Sequence, residues 1–168
     1  MLVHGYTALP HPLLTEQLKT LTAAAEREAR PPAAPGPNRK LLAHIQDLMF
    51  DKIPQDPGGV QYRHGGAIPG GHLEWFRGKT GNGRYRLFYR YHSGLRIIIF
   101  AWINDEDTLR TYGSATDAYT VFGKMLKGGN PPTDWDALLD QAMREAAKAS
   151  LVFRKPPATR ERRPRADT

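Results

Sequence analysis

The chain has 168 residues, 40% hydrophobic and 24% charged, which fits one domain with a real apolar core. It has no cysteine, so disulfides and thiolate metal sites are excluded and a reducing cytosol is the expected compartment. The formal net charge of +7 and the pI of about 9.8 point to an anionic partner, nucleic acid or an acidic protein.

No apolar run is long enough to span a bilayer. The opening "MLVHGYTALPHPLL" lacks the basic and apolar regions of a signal peptide. "HPLLTEQLKTLTAAAEREAR" predicts a first helix, with Leu14, Leu18 and Leu21 on one face. "PPAAPGP", residues Pro31 to Pro37, stops it, because proline lacks the donor and clashes with the preceding turn. "NRKLLAHIQDLMFDKI" predicts a second helix, with Leu41, Leu42, Ile45, Leu48 and Met49 at helical spacing. The pair reads as a helical hairpin that ends at "PQDPGG".

After the glycine-rich "YRHGGAIPGGH", three strands are predicted: "HLEWFRGK", "GRYRLFYRYH" and "LRIIIFAWI". Their short connections make them antiparallel neighbours. The third is apolar on both faces from Ile97 to Ile103, so it belongs in the centre of the sheet with a layer on each side. "NDEDTLRTYGS" then reads as a polar loop or short turn.

"TDAYTVFGKMLKGG" predicts a helix capped by Thr116 or Asp117, with Ala118, Val121, Phe122 and Met125 as its buried stripe. "PPTDWDALLDQAMREAAKASL" predicts another, capped by Thr133 with Asp136 three residues on. The order α-α-β-β-β-α-α defines an α+β domain: an N-terminal helical hairpin, a small antiparallel sheet and C-terminal helices. This domain spans residues 1–151. Residues 152–168 form a basic tail, expected to be disordered, in which Arg154, Lys155, Arg160, Arg162, Arg163 and Arg165 outnumber Glu161 and Asp167.

The chemistry sits in the strands. Side chains alternate across a strand. Arg84, Arg86, Phe88 and Arg90 therefore face one way, and Tyr85, Leu87, Tyr89 and Tyr91 the other. In the preceding strand Leu73, Trp75, Arg77 and Lys79 share a face. If the basic ends pair, Arg77, Lys79, Arg84 and Arg86 make a positive surface beside aromatic rings. Guanidinium forks grip phosphate, and aromatic faces stack on bases. A solvated strand face of arginines, which guards a sheet edge against aggregation, is the competing reading. Just past the central strand stand Asn104, Asp105, Arg110 and Tyr112, where loops carry function on a rigid sheet. A carboxylate or tyrosine there suits handling of a 2′-hydroxyl proton, and arginines suit a crowded phosphorane. Taken by itself, Asp105 or Asp107 reads more readily as a cap of the following turn. The scattered histidines show no metal-ligand spacing.

"GRYRLFYRY", "WINDEDTLRTYG", "TDAYTVFGKMLKGG" and "PPTDWDALL" resemble, in order and spacing, the YhaV toxins of bacterial type II toxin–antitoxin systems. The resemblance runs from about Gly5 to Leu139. It implies the RelE superfamily: endoribonucleases that cut messenger RNA, often at the ribosome, on a small antiparallel sheet packed with helices. It further implies metal-free cleavage without a cofactor, by attack of the 2′-hydroxyl on the adjacent phosphate. The implied partner is a PrlF-type antitoxin with an AbrB-like DNA-binding region, through which alone the complex reaches its operator DNA. No membrane partner is implied.

Carried over residue by residue, the RelE "YR" pair matches Tyr85–Arg86. Arg77 matches the arginine that closes the preceding strand, and Tyr112 the C-terminal tyrosine. The superfamily's paired lysines would fall on Leu73 and Trp75, and its later basic pair becomes Asn104–Asp105. His64, Lys79, Arg84, Asp105 and Arg110 are the available substitutes, with the proton acceptor left open among them. The alternative function is a non-catalytic module gripping RNA or an acidic protein segment with the same basic face.

Overall fold

"IIIFAWI" is apolar at every position, and it forms the middle strand of the sheet, buried or nearly so throughout. The computed structural model describes residues 1–105 and 114–152. Arg110, Tyr112 and the basic tail from residue 153 lie outside them. Among the described residues, β1 (Leu2–Val3), β2 (Tyr6–Pro10), β3 (Phe76–Thr80), β4 (Tyr85–His92) and β5 (Ile97–Ile103) make one sheet in the order β1-β2-β5-β4-β3. The helices are α1 (Pro12–Glu26), α2 (Pro37–Asp47), the short turn α3 (Ile53–Gln55), α4 (Ala118–Lys127) and α5 (Trp135–Val152). A π-helical turn, Leu48–Lys52, joins α2 to α3.

The α+β class stands, with one correction: the sheet is mixed and five-stranded, where a small antiparallel sheet was expected. β3–β4 and β4–β5 are antiparallel as their short turns require. The opening residues add two more strands. β1 turns into β2 through His4 and Gly5, both at positive φ (47° and 79°), the conformation of a tight hairpin turn. β2 then lies parallel to β5, with Thr7 opposite Ile97 and Pro10 opposite Phe100. No short turn dictates this direction, because α1, α2, β3 and β4 intervene in the chain.

The sheet carries a core on each face. On one, Leu87, Tyr89, Ile98, Phe100 and Ile103 pack with Leu14, Ile45, Leu48, Met49 and Ile53 of the N-terminal helical layer. On the other, Phe88, Ile99, Ala101 and Trp102 pack with Tyr119, Phe122 and Leu126 of α4 and with Leu138 and Ala142 of α5. A bulge lets the neighbours Ala101 and Trp102 share that second face: β4 pairs Phe88 with Trp102 but Tyr89 with Phe100, which skips Ala101. Phe122 then stacks on Phe88, with ring centroids 4.2 Å apart, and on Trp102 at 5.8 Å. Such pairs add roughly 0.5–1.5 kcal/mol each beyond the area they bury.

Gly78 in β3 allows the first layer to come close. A Cβ there would meet Ile53 Cδ1 at 3.0 Å and Leu48 at 3.2 Å. Local signals set the helix ends. Asp117 caps α4, its carboxylate accepting from Tyr119 N at 3.1 Å. The cap of α5 is Asp134, which accepts from Ala137 N at 2.9 Å, one residue beyond the expected Thr133. Glu28, just past α1, accepts from the backbone of Asn38 and Arg39 and so caps α2 from outside.

Candidate active site

Register places the basic residues before any side chain is considered. Lys79 of β3 pairs with Arg86 of β4, and Arg77 pairs with Phe88, so Arg77, Lys79, Arg86 and Phe88 lie on one face. That face carries α4. The expected positive surface is therefore corrected in part: Arg77 and Arg86 are only 8% and 7% exposed, covered by the helix. Lys79 and Arg84 stay exposed beside them, Arg84 in the turn between β3 and β4.

Burial of a charge has to be compensated. Arg77 donates from Nε to the hydroxyl of Tyr119 at 2.8 Å and from Nη1 to the carbonyl of Gln61 at 2.8 Å. Arg86 donates from Nε to the same Tyr119 hydroxyl at 3.1 Å and from Nη1 to the carbonyl of Gly83. Its guanidinium also lies 5.5 Å from the centre of the Tyr119 ring. Among the described residues neither arginine forms an ion pair with a carboxylate. The Nη2 of each has no hydrogen-bond partner among the described residues.

Two guanidinium groups thus converge on one hydroxyl oxygen. Both Nε atoms lie within 2.8 and 3.1 Å of it, so they stand at most about 6 Å apart. At an effective dielectric of about 20, like charges at that distance repel by roughly 3 kcal/mol. An anion between them would relieve this. Two forked cations on one oxyanion is the arrangement that binds phosphate, so the donor set is suited to anions.

Asn104, at the end of β5 and 2% exposed, fixes where Arg86 starts. Its Oδ1 accepts from Arg86 N at 2.6 Å, and its Nδ2 donates to the carbonyl of Arg84 at 3.0 Å. The amide clamps the β4 entry against β5. Asp105 follows it, exposed, on the rim of a groove of about 430 Å³. That groove lies between α1, α2 and the ends of β4 and β5, lined by Leu18, Leu21, Leu41, Ile45 and Tyr85. It belongs to the helical layer on the far side of the sheet, away from the guanidinium pair.

The remaining candidates fall elsewhere. His64 is buried in the glycine-rich loop, where Nδ1 accepts from Ile68 N at 3.4 Å and Nε2 donates to the carbonyl of His72 at 2.9 Å. Both nitrogens are engaged by the loop's own backbone. Arg110 and Tyr112 lie outside the described residues. Arg90 shares the face of Arg86 but does different work. It sits between Trp75 and Trp135, 5.9 and 5.5 Å from their ring centres, and donates to the carbonyl of Thr133. Burial pushes its pKa below the ordinary arginine value, against the opposing pull of Glu74 and Asp134.

The residue missed by sequence reading is Tyr119. It lies on the same helical stripe as Phe122, three positions on, and a buried tyrosine needs a partner for its hydroxyl. That requirement was the available signal.

The fold and site together define an α+β protein with two buried arginines converging under a helix, a donor set suited to anions. A family model for YhaV toxins, described as toxins with endonuclease activity of toxin–antitoxin systems, matches residues 8–143. Toxin YhaV of Escherichia coli O6:H1 is 42% identical over 83% of this chain and 93% of its own length. Ribonuclease toxin YhaV of Escherichia coli strain K12 is 43% identical over 81% of this chain and 91% of its own. No solved structure matches the chain. The chain belongs to the YhaV family, the endonuclease toxins of toxin–antitoxin systems.

Proposed function

We propose that this toxin cuts messenger RNA, and that Arg77 and Arg86 bind the phosphate being cut. The name of the 43% identical K12 relative, a ribonuclease toxin, supports RNA as the substrate. The convergence on one point of two buried guanidiniums, without a carboxylate partner among the described residues, carries the reading. In the reaction the 2′-oxygen attacks the adjacent phosphorus and the bond to the 5′-oxygen breaks. The products are a 2′,3′-cyclic phosphate and a 5′-hydroxyl. The 2′-proton goes to a base, and the leaving oxygen takes up a proton. This route requires neither metal nor cofactor.

As the phosphorane forms, one more negative charge develops on its oxygens. Preorganised cations aimed there stabilise the transition state more than the ground state. The exposed Lys79 and Arg84 hold flanking phosphates of the strand. The proton acceptor stays open among Lys79, Arg84, Asp105 and Arg110. The engaged nitrogens of His64 speak against it as a base. The RelE-like architecture, action at the ribosome in the cytoplasm, a toxin domain followed by a basic tail, and a PrlF-type antitoxin that alone contacts operator DNA complete the proposal.

Expression in cells tests it. Growth arrest should come with discrete new RNA 5′ ends, and Arg86→Ala, still folded, should abolish both. Growth arrest without RNA cleavage would remove the nuclease reading and leave the non-catalytic binding module. DNA damage in place of RNA ends would point to a topoisomerase poison.

A further inference from the structure

Two like charges buried side by side do not keep a fixed geometry unaided. Repulsion drives them apart, and each guanidinium sits on a side chain with several rotatable bonds. Arg77 and Arg86 also belong to different strands. Backbone pairing fixes their Cα atoms, but not the ends of their side chains. The element that touches both ends is α4, through the hydroxyl of Tyr119. We propose that Tyr119 is a positioning residue for the phosphate site, its hydroxyl setting the spacing and the tilt of the two guanidinium planes. This rests on the reading that the pair binds the scissile phosphate.

The rest of the hydrogen bonding supports the assignment. Each guanidinium spends Nε on Tyr119 and Nη1 on a backbone carbonyl, of Gln61 or of Gly83. Two anchored nitrogens fix a planar group. Among the described residues the third, Nη2, is without an acceptor on both residues, and it is left for substrate together with the second N–H of Nη1. Nε–H and Nη2–H point the same way along one edge of a guanidinium, so a shared acceptor at both Nε atoms brings both Nη2 atoms to one side. Tyr119 is itself held. It is 4% exposed, its backbone N–H is fixed by the Asp117 cap, and its ring meets Phe88 edge-on at 5.7 Å. Its oxygen therefore has a set place from which to align the pair. At 4% exposure it acts through the arginines and does not touch RNA.

The test is Tyr119→Phe in the full chain. The change removes one oxygen and leaves the ring packing. Misplacing reacting groups by about 1 Å costs on the order of 100-fold in rate. The kcat for cleavage of an RNA oligonucleotide should fall about 10- to 100-fold while KM stays within about twofold, because affinity comes mainly from the many backbone phosphates. Phe122→Leu, on the same stripe, is the packing control and should lower Tm with kcat unchanged. Two readouts need no nuclease activity. The Nε–H signals of Arg77 and Arg86 in ¹⁵N NMR should exchange slowly in the parent chain and rapidly in Tyr119→Phe. Both should also shift on titration with inorganic phosphate, at least fivefold more weakly in the variant. Unchanged kcat, or unchanged Nε–H exchange and phosphate affinity, overturns the proposal. So does a fall in kcat that merely tracks Tm in both variants. A parent chain that binds phosphate through these groups yet cuts no RNA would refute the nuclease reading and leave the positioning role standing.

Discussion

Arg77 and Arg86, on adjacent strands, donate their Nε–H groups to one acceptor, the Tyr119 hydroxyl, at 2.8 and 3.1 Å. This relationship separates the three arginines that alternate along β4 and its turn. Arg86 joins Arg77 under α4, Arg90 is clasped by two tryptophans, and Arg84 stays exposed. A merely solvated basic face would have kept all of them in water.

Replacing Arg86 by alanine should lower cleavage about 100- to 1,000-fold, the usual cost of removing one preorganised donor at a developing oxyanion. Arg86→Lys should restore little, since a point charge cannot reproduce the planar fork. Tm should change little, because loss of the buried guanidinium also removes its repulsion with Arg77. Primer extension on cellular RNA and thermal melts read the two quantities.

Asn104→Ala should destabilise the chain by about 1–3 kcal/mol. The Arg86 N–H and the Arg84 carbonyl would both lose the partner that holds β4 to β5. Urea titration gives the stability. Activity per folded molecule should also fall, since Arg86 starts from a looser backbone.

His11 caps α1 and is 1% exposed, with Nε2 2.6 Å from Gln141 Oε1. Desolvation by burial lowers its pKa below 6.5, outweighing the hydrogen bond to Gln141 and the charge of Glu145. The unfolded chain thus takes up a proton near pH 6.5 that the folded chain refuses. The stabilising contribution is complete above that pH and is lost as pH falls through the folded value. His11→Asn keeps a capping side chain without titrating. Its Tm should fall less than that of the parent between pH 7.5 and 5.5 in matched thermal scans, and parallel profiles would contradict the assignment.

An antitoxin that neutralises the toxin has reason to cover the cationic site. Lys79→Glu with Arg84→Glu, which reverses the exposed charges beside the buried pair, should therefore weaken antitoxin binding at least tenfold by calorimetry, with the effect larger at low salt. Affinity equal to the parent's would place the contact on another face.

Much of this arrangement is legible in the sequence. Ile97 to Ile103 has to be central because it is apolar on both sides, and alternation alone sets Arg86 with Arg90 and apart from Tyr85. Asp117 is readable as a cap for the same local reason. β2 is not readable, because Tyr6–Pro10 becomes a strand by pairing with β5, about 90 positions later, and its burial does not alternate strictly. The covering of Arg77 and Arg86 is equally non-local. It depends on a tyrosine 42 and 33 positions downstream, on a helix whose pattern announces only its apolar stripe.

That order along the chain has a consequence for the cell that makes the protein. Translation completes both arginines well before Tyr119, and until α4 emerges and docks, the two cations have nothing to share. A truncated or still-growing polypeptide that lacks α4 therefore lacks the shared acceptor of the pair. The arrangement is completed only by the last third of the chain, which leaves an interval in which an antitoxin made alongside can be waiting.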